Sequence, residues 1–460
     1  MNTLLKQVGT QSLSKFCVGS LVSCAVLCLM MLFVSQQALA GNIFHVNSAS
    51  GKNQNDGSQA SPFKNIQKAV DVAADGDTIL VAEGNYFGTL DKGSISIGKA
   101  VTIVGGYAPD FSTRDVLKHL TMVQPTAASN GTAGGGGTMQ IKVDKPDTAV
   151  VIDGLIFDRG NTIGYNAKGE GKPEGVESSM MNPIGTGGIG GPDLTTADVK
   201  TVQSTVLYLD GKSDFTIKNC VFANSPYYGI LGGTEGKKVT ISNNVFINNR
   251  FAAVEVGGKS AKHNTEIFFT YNTVLFSWSR LKDYKEMGYG FRYMTKSNAY
   301  VQNNIIGLSI FAGLDRARMD TDKKKEAERI TTAENNIFFL NKQCDLAAPG
   351  GGMFMRINVE QFADFERLAK SGGNKALADP TVFKGIINEP YLNGFLAASY
   401  SETTNVDRNS PANQFRAAMG MNIQGTMKSS ASMFANRYPW KEALRFFGAM
   451  EGYGAQAIKN

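Results

Sequence analysis

Four side chains near the middle of this 460-residue chain are of types that could act together on an acidic sugar: Glu255, Lys259, Arg292 and Asp315. β-Elimination on a uronic acid needs a cation to neutralise the carboxylate, a base to take the C5 proton and a donor to the leaving oxygen. Lysine or arginine can serve as the base when its neighbours depress its pKa, and an acidic pair can instead hold a Ca²⁺ that binds the substrate carboxylate. The same residues admit two blander readings. One is a Glu255–Arg292 cross-strand ion pair on a solvated face. The other is a groove that binds without reacting. Asp315, Tyr208, Asp210 and Tyr228 are the candidates for substrate contacts. Tyr227, Trp278, Tyr284 and Tyr289 lie close by in the chain, where their rings either stack on sugars or pack inside.

Other chemistries lack their residues. Gly257-Gly258-Lys259-Ser260 ends like a phosphate loop, but Ala253 stands where the first glycine is needed and no helix follows. His45, His119 and His263 are scattered, without the Cys/His spacing of a zinc site. His263 lies four residues after Lys259, which leaves an epimerase-like role open. The paired aspartates and Gly-His-Gly of polygalacturonase-type hydrolases are absent.

What would position the four residues is a repeat. TIKNCVF (216–222), TISNNVF (240–246), FFTYNTVLF (268–276), YVQNNIIG (300–307) and TTAENNIFF (331–339) share one pattern of β-rich run, polar corner and apolar residues; VVIDGLIF (150–157) fits more loosely. Their corners, Cys220, Asn244, Asn272, Asn304 and Asn336, are 24, 28, 32 and 32 residues apart. Units of this size bury too little to fold alone, so they stack as a solenoid. Few helical patterns separate the strands, so the chain must coil as a parallel β-helix. Asn suits such corners because it tolerates the left-handed conformation, and at a spacing of roughly 4.8 Å its side chains can form a ladder. The ladder sets the register. Ten residues after four of the corners stand Ile230, Val254, Leu314 and Leu346, expected to face inward; Leu231, Glu255, Asp315 and Ala347 then face outward. The coil between carries an insert, Ser279–Met287, and its strand puts Arg292 outward if Phe291 and Tyr293 are core. Glu255, Arg292 and Asp315 then share one row, with Lys259 just beyond and Tyr208 or Asp210 further back.

The N-terminal part predicts a strand at 43–47, an amphipathic helix from Pro62 through Ala73, and strands at 78–82, 95–97 and 101–104. Asn55-Asp56-Gly57-Ser58, Ser61-Pro62-Phe63-Lys64-Asn65-Ile66-Gln67-Lys68-Ala69-Val70, Gly76-Asp77-Thr78-Ile79 and Glu83-Gly84-Asn85-Tyr86 resemble the N-terminal cap of right-handed parallel β-helix proteins of the pectate-lyase-like superfamily. Thr102–Tyr107, Ala378-Asp379-Pro380 and Asn409-Ser410-Pro411-Ala412 continue the likeness. The resemblance implies an all-β, single-domain right-handed β-helix over 41–412, with a cap helix at its N-terminal end. It does not fix function. Val254–Ser260 followed by Phe291-Arg292-Tyr293 is similar to the Glu…Lys…Arg pattern of the alginate lyase and chondroitinase B family. That similarity implies Glu255 as a Ca²⁺ ligand, Lys259 as base and Arg292 as acid. The family's second acidic residue is replaced here by Ala253.

Long inserts are expected at 125–138 and 158–205, an exposed charged helix within 318–330, an amphipathic run over 358–370, and a short helix over Pro439–Phe447 as the C-terminal cap within 413–460. Residues 1–40 carry Lys6 and Lys15, an apolar stretch and Ala38-Leu39-Ala40, the pattern of a secretory signal; a retained anchor and, at Cys24, a lipoprotein are the alternatives. The expected location is secreted, periplasmic or cell-surface. The chain has 46 basic and 40 acidic residues; without 1–40 the balance is 44 against 40, net +4. That mild excess suits an acidic polysaccharide and is too weak to argue nucleic acid. The partner expected is thus an acidic polysaccharide, with no membrane contact after signal cleavage and a monomeric protein. Three of five cysteines fall within 1–40, leaving Cys220 and Cys344, read as buried thiols rather than a disulfide. The function expected is an exported protein that binds or acts on an extracellular or cell-wall polysaccharide; the alternative is a non-catalytic structural or adhesive surface protein.

Overall fold

The repeat closes into coils of three strands each. In the computed structural model the described residues are 41–459, apart from 88–94, 125–137, 159–164, 167–188, 191–204, 226, 279–287, 351–352, 400–405 and 425–437. The expected signal segment 1–40, most of the expected inserts 125–138 and 158–205, and Tyr284 lie outside them. One coil shows the order: Asp214–Lys218 in sheet I, Val221–Ala223 in sheet II, Tyr228–Thr234 in sheet III, then Lys238–Ser242 back in sheet I. Among the described residues each of these three sheets has nine strands. Successive coils pair in parallel in all three; the exception is Met353–Ile357, which pairs antiparallel with Cys344–Gly350 and ends sheet III. Inward apolar residues repeat from coil to coil, as in Phe215, Val239 and Ile267 of sheet I and Ile230, Val254, Phe291, Leu314 and Leu346 of sheet III, and fill the interior.

The five corners stand in one column. Asn272 donates from its backbone N–H and its Nδ2 to Asn304 Oδ1 at 2.8 and 3.2 Å, and Asn304 does the same to Asn336 Oδ1 at 3.0 and 2.9 Å. Asn244 repeats the pattern onto Asn272, and the Cys220 N–H donates to Asn244 Oδ1. The column extends one coil further, to Asn374, which the sequence reading missed. The ladder residue is not the one in the left-handed conformation. That falls on the residue before it: Asn219, Asn243, Tyr271, Asn303 and Asn335, with Gly373 in the last coil. The corner thus divides its work between an outer residue that bends the chain and an inner one that satisfies buried backbone groups.

At the N-terminal end the helix spans Ile66–Val72 and buries Ile66, Ala69 and Val70. It starts later than Pro62, because Phe63 is held extended by bonds to the His45 carbonyl and the Asn47 N–H. Strands Ile43–Val46, Thr78–Ala82, Ile95–Ile97 and Thr102–Tyr107 lie where expected. The 318–330 insertion carries the exposed helix Lys323–Ala327. Residues Val359–Asp364 form a 3₁₀ turn that buries Val359 and Phe362. Cys220 and Cys344 are buried free thiols.

The C-terminal part differs most from the sequence reading. The last coil strand is Lys375–Ala376; helices Glu389–Ser399 and Pro411–Met419, both unexpected, follow, and then Trp440–Ala443. These do not close the end of the stack. Phe383, Tyr391, Phe395, Phe415, Tyr438 and Phe446 pack on Val221, Val245, Leu275, Ile305 and Ile337, the outer face of sheet II. Tyr438 exchanges hydrogen bonds with Asn224, and Ala455 and Gln456 donate to Thr273 and Asn243. The segment therefore covers sheet II lengthwise.

Candidate functional site

Sheet III carries the candidate row in the register that the corners imply. Leu231 pairs with Glu255, Glu255 with Arg292, Arg292 with Asp315 and Asp315 with Ala347. Tyr208 pairs with Leu231 at the near end of the same row. Arg292 bridges two acids: its Nη1 donates to Glu255 Oε2 at 2.8 Å and its Nε to Asp315 Oδ2 at 2.7 Å. The Tyr228 hydroxyl donates to Glu255 Oε2 at 3.2 Å. Arg292 also lies over the Tyr289 ring at 4.9 Å and the Phe251 ring at 5.5 Å.

Tyr228 and Tyr289 reach this face because alternation breaks at the start of the strands. Ala253 and Val254 both pack in the interior, so Tyr228, Ala252, Tyr289, Phe311 and Ala312 form a separate cluster outside. The kink leaves no room for a side chain at Gly290, where an added Cβ would run into the Gly313 carbonyl oxygen. Tyr227 and Phe251 are half-buried and extend the aromatic wall, with Tyr227–Tyr228 and Tyr228–Phe251 ring centroids 4.2 and 5.0 Å apart. Trp278, by contrast, packs in the sheet II cluster.

The face is not solvated. The side chains of Glu255 and Arg292 are 13% and 16% exposed, and that of Asp315 is 0%. Burial pushes the Asp315 carboxyl up to about 6, although Arg292 pulls the other way. Burial also opposes the charge on Arg292, but Asp315 and Glu255 outweigh it and hold its pKa above the ordinary arginine range. Burial, reinforced by the Glu255 charge, drives the Tyr228 phenol far up, and burial with Asp315 does the same to Tyr289. Asp315 Oδ1 is buried without a hydrogen-bond partner.

Lys259 and Asp210 sit apart from this row. Asp210 pairs with Gly233 and Gly233 with Gly257, one outward row further along the strands. Lys259 Nζ donates to Asp210 Oδ1 at 2.6 Å. It can do so because Gly233 has no side chain; a Cβ there would meet Lys259 Cε at 2.8 Å. The structure thus brings together Tyr228, Glu255, Arg292 and Asp315, places Tyr208 at the end of their row, and joins Lys259 to Asp210.

The donor set does not fit Ca²⁺. A calcium ion takes six to eight oxygen ligands, whereas the space between Glu255 and Asp315 holds a guanidinium. Among the described residues no three His, Cys, Asp or Glu side chains converge.

Two family models match. One, described as a right handed beta helix region, covers residues 199–360; the other, a protein of unknown function (DUF1565), covers residues 49–138. With the three parallel sheets they define the chain as an all-β right-handed parallel β-helix. No curated protein matches it. Among solved structures, native GH136 lacto-N-biosidase from Eubacterium ramulus is 10% identical, with a TM-score of 0.30 over 74% of this chain and 56% of that one. XylC in complex with xylose is 11% identical, with a TM-score of 0.16 over 66% of this chain and 86% of that one. The chain thus spans little more than half the length of the lacto-N-biosidase. Similarity at these scores says nothing of what this chain binds.

Proposed function

We propose that this β-helix binds an extracellular or cell-wall polysaccharide, an acidic one being the first to test, along the outer face of sheet III. The observation that supports it is the row Tyr228–Glu255–Arg292–Asp315 set beside the rings of Tyr227, Phe251 and Tyr289. Fixed polar groups beside aromatic faces suit sugar hydroxyls and sugar rings. The reading presupposes export, for which residues 1–40 have the pattern. Binding is favoured over β-elimination on charge grounds. Arg292 is held by two carboxylates and Lys259 by Asp210, so neither is free to take the proton that elimination must remove.

The test is retention on immobilised acidic and neutral polysaccharides, with ultraviolet absorbance of an unsaturated product followed in parallel, with and without Ca²⁺. The parent is expected to be retained without forming product. Tyr227→Ala, which removes a half-buried ring, should weaken binding by about 1 kcal/mol, roughly fivefold. No retention on any polysaccharide removes the proposal. A product absorbing in the ultraviolet replaces binding with elimination.

A further inference from the structure

Where the chain leaves sheet III for sheet I, a second cluster lies apart from the glycan face. A cleft of about 600 Å³ opens between the 317–330 insertion, Thr331 and residues 366–369. Two arginines in its wall are almost wholly withdrawn from water: the side chains of Arg316 and Arg329 are 4% and 1% exposed. Both converge on one carboxylate. Arg316 Nη1 lies 2.5 Å from Glu326 Oε1 and Arg329 Nη1 lies 3.8 Å from Glu326 Oε2. The Asp320 N–H donates to that second oxygen at 2.8 Å. Arg329 is fixed in place by donating to the carbonyls of Arg318, Tyr293 and Met294 and by lying over the Tyr293 ring. The Nε atoms of both arginines are buried without partners. Burial, together with Arg316 alongside, pulls Arg329 down to about 10.

Two buried guanidinium groups are costly without an anion between them, and their planar forks match a carboxylate. The carboxylate they have comes from a short exposed element, capped by Asp322 and tied outside the insertion by Lys325 Nζ, which donates to the Ala261 carbonyl. Helix Lys323–Ala327 has five residues and none is buried. Without Glu326, the cleft wall has Arg316, Lys323, Arg329 and Arg367 against Asp320 and Glu366, four cations to two acids. We infer that Arg316, Arg329 and the Asp320 N–H form a binding site for a carboxylate-bearing ligand, and that Glu326 is an internal occupant which such a ligand displaces. This site begins at Arg316, the last residue of the sheet III strand Ala312–Arg316, where it pairs with the inward Tyr293, and it does not depend on glycan binding on the outer face of that sheet.

Calorimetric titration with D-glucuronate, acetate and uncharged glucose tests it in the parent and in Glu326→Gln. A carboxylate tethered by a short segment competes at millimolar effective concentration. Glu326→Gln should therefore bind glucuronate and acetate about tenfold more tightly than the parent, and glucose not at all. In the parent, amides 320–328 should exchange hydrogen faster once glucuronate is saturating. Unchanged affinity in folded Glu326→Gln overturns the assignment, and so do glucose binding that rises equally and unchanged exchange in the parent. If the variant does not fold, the parent's exchange decides alone.

Discussion

Arg292 holds two acids at once, and one of them is fully withdrawn from water. Removing the guanidinium strands both. Arg292→Ala is therefore expected to cost about 3–5 kcal/mol, the range for breaking a buried pair. An ion pair on an open face would cost at most about 1 kcal/mol. Denaturant unfolding separates the two, and a loss under about 1 kcal/mol would mean that the face is wet. Because the variant is destabilised, its lost activity or binding would say little, which is why the binding test uses Tyr227. Asp315 adds a pH dependence. Its folded pKa of about 6 lies above the ordinary 3.8, so between those values the folded protein keeps a proton that the unfolded chain has released. Stability from this group is fully present below about pH 4 and is lost as pH rises through about 6. Asp315→Asn should flatten that part of the profile. Parallel profiles for parent and variant between pH 4 and 7 would remove the claim.

At the scale of the corner, each coil places two neighbouring residues under different demands. The inner Asn304 satisfies the Asn272 N–H and the Phe269 carbonyl, both buried. Asn304→Ala leaves them unpaired, at about 1–3 kcal/mol for each such group. The outer Asn303 has φ 58° and needs only to bend, so Asn303→Gly should change stability by a few tenths of a kcal/mol. Equal losses in thermal unfolding of the two variants would mean that the corner does not divide in this way. The same division explains what was legible in the sequence. Repeated Asn pairs marked the corners, and ten residues counted on from a corner were enough to put Glu255 and Asp315 in one row, while Arg292, beyond an insert, joined it because side chains alternate along a strand and Phe291 and Tyr293 are core. The count could not show that Tyr228 and Tyr289 also face out, since two successive residues, Ala253 and Val254, turn inward there. Nor could it show that Lys259 crosses the bare Gly233 to Asp210, because that path depends on a side chain that is missing. Asn374 escaped because Gly373 takes the bend in place of an outer Asn.

Over the whole molecule, each sheet meets a different surrounding, and sheet II shows this in its residues. Its strands Val221–Ala223, Val245–Ile247, Thr273–Leu275, Ile305–Gly307 and Ile337–Phe339 are buried at every position, where alternation would leave every second residue wet. Strands apolar on both faces are covered on both faces. The inner side has the coil interior. The outer side has the described residues between 383 and 455, whose aromatic rings lie against Val221, Val245, Leu275, Ile305 and Ile337. The tail is thus a second layer of core, built on the sheet after the coil is complete. A chain ending at residue 377 would expose a row of Val, Ile and Leu running through most of the stack, well beyond the few hundred Å² that a soluble surface tolerates. Truncation is accordingly expected to give a protein that binds a hydrophobic dye strongly and associates on concentration. The coil itself should keep its parallel sheets, since their ladders and interior do not involve the tail. Tyr438 gives a milder probe. Its ring packs on Phe276 and Tyr391 and its hydroxyl accepts from the Asn388 N–H, so Tyr438→Ala should cost about 3–5 kcal/mol and loosen the tail before the coil. Hydrogen exchange reads the order of opening. Faster exchange across 383–455 with protected sheet I amides is the expected result, and simultaneous opening of both would show that tail and coil are one cooperative unit.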